Sequence, residues 1–256
     1  MNEFYKRMNI PNSGKIQIVE RIVRFFNNKE TLVLDLGAGS CVVERLLMKV
    51  KFKGSIIAIE RNEIEGLSSK FGNYKKCEIV HDDLFSGTLD RILKIKSFKT
   101  VVVVLSAILH ELTQEELYRL AALIKLIGYI ADVNLIVREP LATDDLIKEP
   151  LDIVKTNDYL IYKGLHKREN WSEEITFINY CFLKSYGEQS WDREKFEGRF
   201  TFTYSEMKDF IEQCGCEMFN LEFQKDEFYK KTLPYGIFDK IKWTGTSFCA
   251  KTRKRY

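Results

Sequence analysis

The chain has 256 residues, 45% of them hydrophobic, enough for one large α/β domain or a domain with an insertion, around a sizeable buried core. Lysine and arginine number 40 against 37 acids, so there is no global field to attract nucleic acid. No apolar run approaches ~18 residues, so no membrane span is expected, and residues 1–7 lack the apolar stretch of a secretory leader.

Residues 14–28 carry Ile16, Val19, Ile22, Val23 and Phe26 at spacings mostly of three and four, which predicts an amphipathic helix. Pro11-Asn12-Ser13 is its expected start. Thr31 to Leu34 then reads as a strand, followed by Asp35-Leu36 and the turn Gly37-Ala38-Gly39-Ser40; Cys41 to Val50 reads as a helix. A strand that stops at Gly-x-Gly and restarts as a helix brings backbone close to a ligand and offers free N–H groups. This suggests a nucleotide-type cofactor. A dinucleotide fingerprint needs a third glycine where Val42 stands, so that pattern fails.

Ser55 to Glu60 is a second short apolar run, ending in an acid. Cys77 to Val80 is a third, followed by His81-Asp82-Asp83-Leu84-Phe85. Val101 to Leu105 is a fourth, ending in Ser106-Ala107-Ile108-Leu109-His110-Glu111-Leu112. Thr113 to Ile127 is an amphipathic helix with Leu117, Leu120, Ile124 and Ile127 on one face, a Thr113/Glu116 capping box, and Gly128 as its stop. Asn134 to Val137 reads as a fifth strand, leading into Arg138-Glu139-Pro140.

After Pro140 the alternation breaks down. Residues 141–200 are rich in aromatics and predict a mainly helical insertion, expected over the carboxyl edge of the sheet, where open α/β folds bind ligands. Asp144 to Lys155 reads as partly helical with a break at Pro150, and Ser172 to Lys184 as helical. For most of the aromatics the simpler reading is a small core of their own. Thr203 to Glu206 opens the next helix, with Ser205 as its cap, and Cys214-Gly215-Cys216 ends it. Glu217 to Phe223 and Trp243 to Lys251 read as strands joined by a loop over Asp226 to Lys242. The six cysteines (41, 77, 181, 214, 216 and 249) include no Cys-x-x-Cys pair, so no metal site is expected and reduced thiols of a cytoplasmic protein are.

The Asp35-Leu36-Gly37-Ala38-Gly39 segment resembles the first motif of the class I S-adenosylmethionine-dependent methyltransferases, and the three later run ends resemble the motifs that follow it. The resemblance covers residues 15–140 best. It implies an α/β fold: a seven-stranded, mostly parallel, doubly wound sheet with a C-terminal antiparallel hairpin and a mainly helical insertion after strand 5. Residues 1–140 would form the cofactor-binding core with its N-terminal helix, 141–200 a helical substrate cap, and 201–256 the return to the sheet, one structural domain in all. The implied cofactor is S-adenosylmethionine, with S-adenosylhomocysteine as product. Its implied contacts are Asp35, Gly37, Ala38, Gly39, Glu60, Arg61, Asp82, Asp83, Leu84 and Ser106. Glu60 would take the ribose hydroxyls, the Asp82–Leu84 segment the adenine, and Ser106 would face the methionine end. The structural alternative is that Asp35, Glu60 and Asp83 are ordinary strand-end turn residues.

A sulfonium methyl group is already activated, so alignment for in-line displacement is the main demand on the protein. His110 is the candidate base, since imidazole titrates near neutral pH; its structural alternative is a packed turn histidine. Glu139, at the end of strand five where it would face the substrate, is the second catalytic candidate. Tyr162, His166, Trp171 and Trp191 are the substrate-binding candidates from the insertion. No proline follows strand four, unlike the amino-directed nucleic-acid methyltransferases, and no Pro-Cys pair serves cytosine C5 chemistry. A small-molecule acceptor methylated at oxygen or nitrogen is favoured. The alternative is an RNA or protein acceptor docked by Lys163, Lys167, Arg168, Lys184 and the basic tail; a non-catalytic cofactor-binding module ranks third. Nucleic acid and membrane are not the expected partners, and a monomer or homodimer is.

Overall fold

The computed structural model describes residues 14–62, 75–86, 95–139, 147–166, 168, 171–185, 187, 202–224, 227–242 and 245–252. The first half alternates strand and helix: α1 (Lys15–Phe26), β1 (Thr31–Leu36), α2 (Val42–Lys49), β2 (Ser55–Glu60), β3 (Cys77–His81), β4 (Thr100–Ser106), α3 (Gln114–Ile127) and β5 (Asp132–Glu139). The second half runs α4 (Asn157–Leu165), α5 (Glu173–Ser185), α6 (Tyr204–Gln213), β6 (Cys216–Gln224), α7 (Glu227–Thr232), α8 (Ile237–Lys240) and β7 (Gly245–Thr252).

The strands form one sheet in the order β3-β2-β1-β4-β5-β7-β6. Neighbours from β3 to β5 are parallel, and β7 runs antiparallel to both β5 and β6. All six residues of β1 are buried, because both faces of the sheet are covered. On one face Val33, Val102 and Val104 pack against Ile18, Val19 and Ile22 of α1 and Val43 and Leu47 of α2. On the other, Leu32, Leu34 and Leu36 join a core with Leu117, Leu120 and Ile124 of α3 and Met207, Phe210 and Ile211 of α6. The chain winds outward in opposite directions from β1 and β4. Their carboxyl ends therefore flank the switch point, where open sheets of this kind keep a ligand crevice.

Strand ends extend further than the apolar pattern suggests. β1 includes Asp35 and Leu36, and β5 includes Arg138 and Glu139. Hydrogen bonding to neighbours carries each ladder past its last apolar residue, through Asp35↔Ala58 and Ser106↔Arg138.

Helix α3 has the expected capping box: Thr113 accepts from Glu116 N–H, and Glu116 accepts from Thr113 N–H. Gly128 closes it in right-handed geometry (φ −63°), so its conformational freedom is not what ends the helix. Helix α6 is capped by Thr203 rather than by the expected Ser205. Thr203 is extended (φ −69°, ψ 165°) and accepts from Glu206 N–H, whereas Ser205 already lies inside the helix. Gly215, at φ +72°, turns the chain into β6.

Two expectations fail in the second half. Residues 148–156 form no helix (144–146 lie outside the described residues). Instead Ile147 bridges to Ile241, and Thr156 caps α4 by accepting from Tyr159 N–H. Pro150 lacks the N–H that a helix would need there. The segment Asp226 to Lys242 is not a loop, since it contains α7, a 3₁₀ turn (Pro234–Gly236) and α8. Its Leu233, Ile237, Phe238 and Ile241 complete a core with Tyr159, Tyr162, Phe177 and Phe182 of α4 and α5. This contact explains why α5 is buried all round from Ile175 to Leu183. Among the described residues, the aromatics of the insertion are chiefly its own core. No described helix is long and apolar enough to cross a membrane.

The cap assignment is testable by urea unfolding. Thr203→Ala should cost about 1 kcal/mol, and Ser205→Ala should stay within about 0.5 kcal/mol of the parent. The reverse order would place the cap at Ser205.

Candidate functional site

The turn after β1 is shaped by two positive φ angles, +74° at Gly37 and +57° at Gly39. Gly37 is required for a second reason: a Cβ there would collide with the Ile108 side chain, which arrives from the end of β4. The turn hangs from β2. The N–H groups of Gly37 and Ala38 donate to Ile59 O (2.9 and 3.0 Å), and Gly39 N–H donates to Glu60 Oε2 (2.8 Å). Asn62 N–H donates to the other carboxylate oxygen (3.0 Å). Glu60 is thus buried and held by one bond on each oxygen, and each oxygen retains acceptor capacity.

The β3 end is ordered by its own acids. Asp82 Oδ1 accepts from Asp83 N–H (2.8 Å), and Asp83 Oδ1 accepts from Phe85 N–H (2.9 Å). Asp82 N–H in turn donates to Glu60 O (3.2 Å), tying this loop to β2. Leu84 packs against the main core, and the Arg119 guanidinium stacks 4.4 Å from the Phe85 ring. Arg61 is exposed just beyond Glu60. Glu60, Arg61 and the Asp82–Leu84 loop therefore share one strand-end ledge beside the glycine turn.

Three buried side-chain oxygens at this edge make no hydrogen bond: Asp35 Oδ1, Ser40 Oγ and Ser106 Oγ. Buried polar groups are nearly always paired, and leaving one unpaired costs about 1–3 kcal/mol. Their residues stand at the end of β1, on the glycine turn and at the end of β4. A polar ligand that brings its own donors and acceptors fits this edge.

Beside them lies a charged cluster that the sequence pattern does not reveal. Lys15, Asp35 and Glu44 are 3%, 2% and 0% exposed. Burial lowers the Lys15 ammonium from its usual range, with Asp35 and Glu44 opposing that shift. Burial raises the Asp35 carboxyl, and burial plus the nearby Asp35 raises Glu44 well above the ordinary glutamate value. The only sequence signal is that Glu44 falls on the buried stripe of α2 with Val43 and Leu47. Glu44 therefore keeps its proton to higher pH in the folded protein than in the unfolded chain. Stability should fall as pH rises above the ordinary glutamate value of about 4.3, and Glu44→Gln should flatten that slope in urea midpoints taken from there upward. A parent slope unchanged by the substitution would place the titration elsewhere.

At the β4 end, Ala107 adopts φ +59°, a left-handed conformation costing about 1–2 kcal/mol for a residue with a Cβ. It turns the chain into the 3₁₀ segment Leu109–Glu111, which Glu139 braces from β5. Glu139 Oε1 accepts from Ile108 N–H (2.6 Å) and Leu109 N–H (2.7 Å), and Oε2 pairs with His110 Nδ1 (2.8 Å). The Glu139 side chain is wholly buried and that of His110 is 13% exposed. With a carboxylate as its partner, Nδ1 carries the hydrogen of this bond. The expectation that Glu139 faces substrate is corrected by this geometry. β5 runs on through Glu139, so its carboxylate turns inward onto the neighbouring turn.

The insertion residues separate. Tyr162 is buried in the α4–α5 core, where burial pushes its hydroxyl up, so its side chain serves packing rather than an open surface. His166 stacks 4.7 Å from the Tyr162 ring at the end of α4. Trp171 is half-buried under the Arg168 guanidinium, 4.8 Å from its ring. Trp191 lies outside the described residues. The cations considered for docking are paired: Lys163 with Glu173 (2.5 Å), Lys184 with Asp158 (2.6 Å) and Arg168 with Glu206 (3.4 Å). Lys167 and residues 253–256 lie outside the described residues. The described cysteines are free, and burial raises their thiols, Cys77 to about 12.

No protein-family model matches the sequence, and no curated protein matches it. Solved structures do match in shape. A mycolic acid cyclopropane synthase, solved with S-adenosylhomocysteine, aligns with TM-score 0.56 at 10% identity, over 97% of this chain and 88% of that one. An S-adenosylmethionine-dependent methyltransferase of Archaeoglobus fulgidus aligns with TM-score 0.53 at 14% identity, over 98% and 100%. A 1,6-didemethyltoxoflavin N1-methyltransferase of Burkholderia thailandensis, solved with its substrate and S-adenosylhomocysteine, aligns with TM-score 0.53 at 8% identity, over 98% and 82%. The chain has the fold of the class I S-adenosylmethionine-dependent methyltransferases.

The glycine turn yields a stability test. Gly37→Ala combines a left-handed φ with the clash at Ile108 and should cost about 2 kcal/mol or more. Adding Ile108→Ala should recover part of the penalty attributable to the clash. Strict additivity of the two losses in urea unfolding would separate the residues.

Proposed function

We propose that the protein is an S-adenosylmethionine-dependent methyltransferase that moves a methyl group to an oxygen or nitrogen of a small molecule by in-line displacement. The observation that carries this reading is the edge made by the glycine turn and the oriented Glu60, with unpaired buried oxygens of Asp35, Ser40 and Ser106 beside it. When bound, the cofactor supplies the activated sulfonium methyl group. Glu60 would hold the ribose hydroxyls. Asp82, Asp83 and Leu84 would form the adenine wall, with Arg61 at its rim. Ala38 and Gly39 would border the chain leading to the sulfur, on a turn that Gly37 allows by making room for Ile108, and Asp35 and Ser106 would receive the amino-acid end.

His110 is the general base in this reading. Nε2 takes the proton of an acceptor hydroxyl or protonated amine, while Glu139 fixes the tautomer and ring angle through Nδ1. Glu139 is accordingly a positioning residue. Its two bonds to Ile108 and Leu109 N–H groups hold the same turn in place. His166 and Trp171 remain the insertion's candidates for contacting the acceptor.

An RNA or protein acceptor is less well supported, because Lys163, Arg168 and Lys184 already have carboxylate partners. Exposed pairs of this kind are weak, but they leave little unbalanced charge to recruit a polyanion. A non-catalytic module would bind S-adenosylhomocysteine and turn over no acceptor.

Incubation with small-metabolite pools and S-adenosylmethionine should yield a product heavier by one methylene. An RNA or protein pool labelled in its place would favour the second reading. His110→Ala should lower kcat by about a hundredfold or more while leaving S-adenosylhomocysteine affinity unchanged. Glu139→Gln should also lower kcat, but less. Full turnover by the His110 variant at every pH would remove the base.

A further inference from the structure

The chain leaves the sheet after Gln224 of β6 and re-enters it at Gly245 of β7, and these two residues pair with each other. The next residue of β7, Thr246, pairs with Glu139. The segment 227–242 therefore leaves and returns at the strand ends from which Glu139 reaches His110. Its Leu233, Ile237 and Phe238 turn inward and are buried against α4 and α5. Tyr235 does the opposite and is 43% exposed. Its backbone is left-handed (φ +59°, ψ +24°), as is that of Gly236 (φ +65°). Among the described non-glycine residues with positive φ (Cys41, Lys51, Ala107 and Tyr235) it is the bulkiest, and bulky side chains resist that region. Strain of this kind points to a use for the side chain it presents. The ring is backed by Phe177, 5.7 Å away with the planes 31° apart, and Phe177 in turn meets Tyr159 edge-on at 5.2 Å. A Cβ added at Gly236 would meet nothing within 4 Å among the described residues, so the turn borders open space.

We propose, resting on the methyltransferase reading, that Tyr235 is the stacking platform for the methyl acceptor, and that this acceptor is a flat aromatic molecule bearing the hydroxyl or amine. A ring held from behind by Phe177 presents its surface at low entropic cost, because tyrosine has only two side-chain torsions to fix. Pro234, with its fixed φ, holds the backbone on one side of it. A second ring settles on such a platform in an offset stack, with centroids about 4.5–7 Å apart. A saturated ring gains only buried area there, whereas an aromatic ring gains the stacking as well. The sheet order sets the direction of approach. The nucleoside ledge stands over β2 and β3, this turn rises between β6 and β7, and His110 follows β4 between them. The acceptor thus comes from the cap side and meets the cofactor beside His110. An aromatic hydroxyl also suits that base, since a phenol, with a pKa of about 10, yields its proton more readily than an aliphatic alcohol. Tyr235 binds the acceptor and takes no part in the proton transfer.

The test is equilibrium dialysis of the full chain, saturated with S-adenosylhomocysteine, against 2-naphthol and against its saturated counterpart, decahydro-2-naphthol. The parent protein should bind the flat alcohol about fivefold or more tightly than the saturated one. Tyr235→Phe keeps the ring and should bind 2-naphthol within about twofold of the parent. Tyr235→Asn keeps a residue that accepts the left-handed backbone but removes the ring, and it should lose about fivefold or more in 2-naphthol affinity. Both variants should bind S-adenosylhomocysteine as the parent does, which shows that they are folded. Equal affinity of the parent for the two alcohols, or a Tyr235→Asn protein that binds 2-naphthol like the parent, overturns the platform. A Tyr235→Phe protein as weak as Tyr235→Asn overturns it too, by assigning the contact to the hydroxyl. Failure of the parent to bind S-adenosylhomocysteine overturns the cofactor reading, and is told apart because it appears before either alcohol is added.

Discussion

The turn leaving β1 passes under Ile108 on one side and hangs from Ile59 and Glu60 on the other. There is no space at Gly37 for a side chain, and the backbone there takes a conformation that L-residues resist. That close approach brings the end of β4 against the end of β1. It also sets Glu60, whose carboxylate is oriented by the turn it supports. The ledge that would hold a nucleoside is thus a consequence of how three adjacent parallel strands end, not of any one residue's chemistry.

A second brace works from the other side of the switch point. Glu139 ends β5 and reaches across to bind two backbone N–H groups and His110 in the turn after β4. A buried carboxylate with three donors is well compensated for its desolvation. The left-handed Ala107 is tolerated because that turn is held from both ends, through Arg138 O and through Glu139. The glycine turn and the histidine turn therefore face the same crevice edge on rigid supports, as an orientation-dependent reaction demands.

Much of this was legible in the residues. Short apolar runs marked β1 to β4, and β1, β2 and β4 do not alternate because they are buried on both faces. Gly37-Ala38-Gly39 marked the turn, because few other residues take that backbone. The rest was hidden for physical reasons. Thr203 and Ser205 are both good caps by composition, and only backbone geometry selects between them. The segment Asp226 to Lys242 looked like a loop because its helices are short and its apolar residues find their partners on α4 and α5. Glu139 looked like a group facing substrate because local pattern does not say where β5 stops. Lys15 and Glu44 were invisible because their partnership joins two helices across a strand.

The central claim is that the ledge between the glycine turn and the β2 and β3 ends receives an adenosyl group. A crystal structure of the protein grown with S-adenosylhomocysteine tests it most directly. The account predicts density with the sugar hydroxyls on Glu60 and the purine against Asp82–Leu84. A crevice closed by its own side chains at saturating ligand, or the nucleoside bound at some other place, would contradict it.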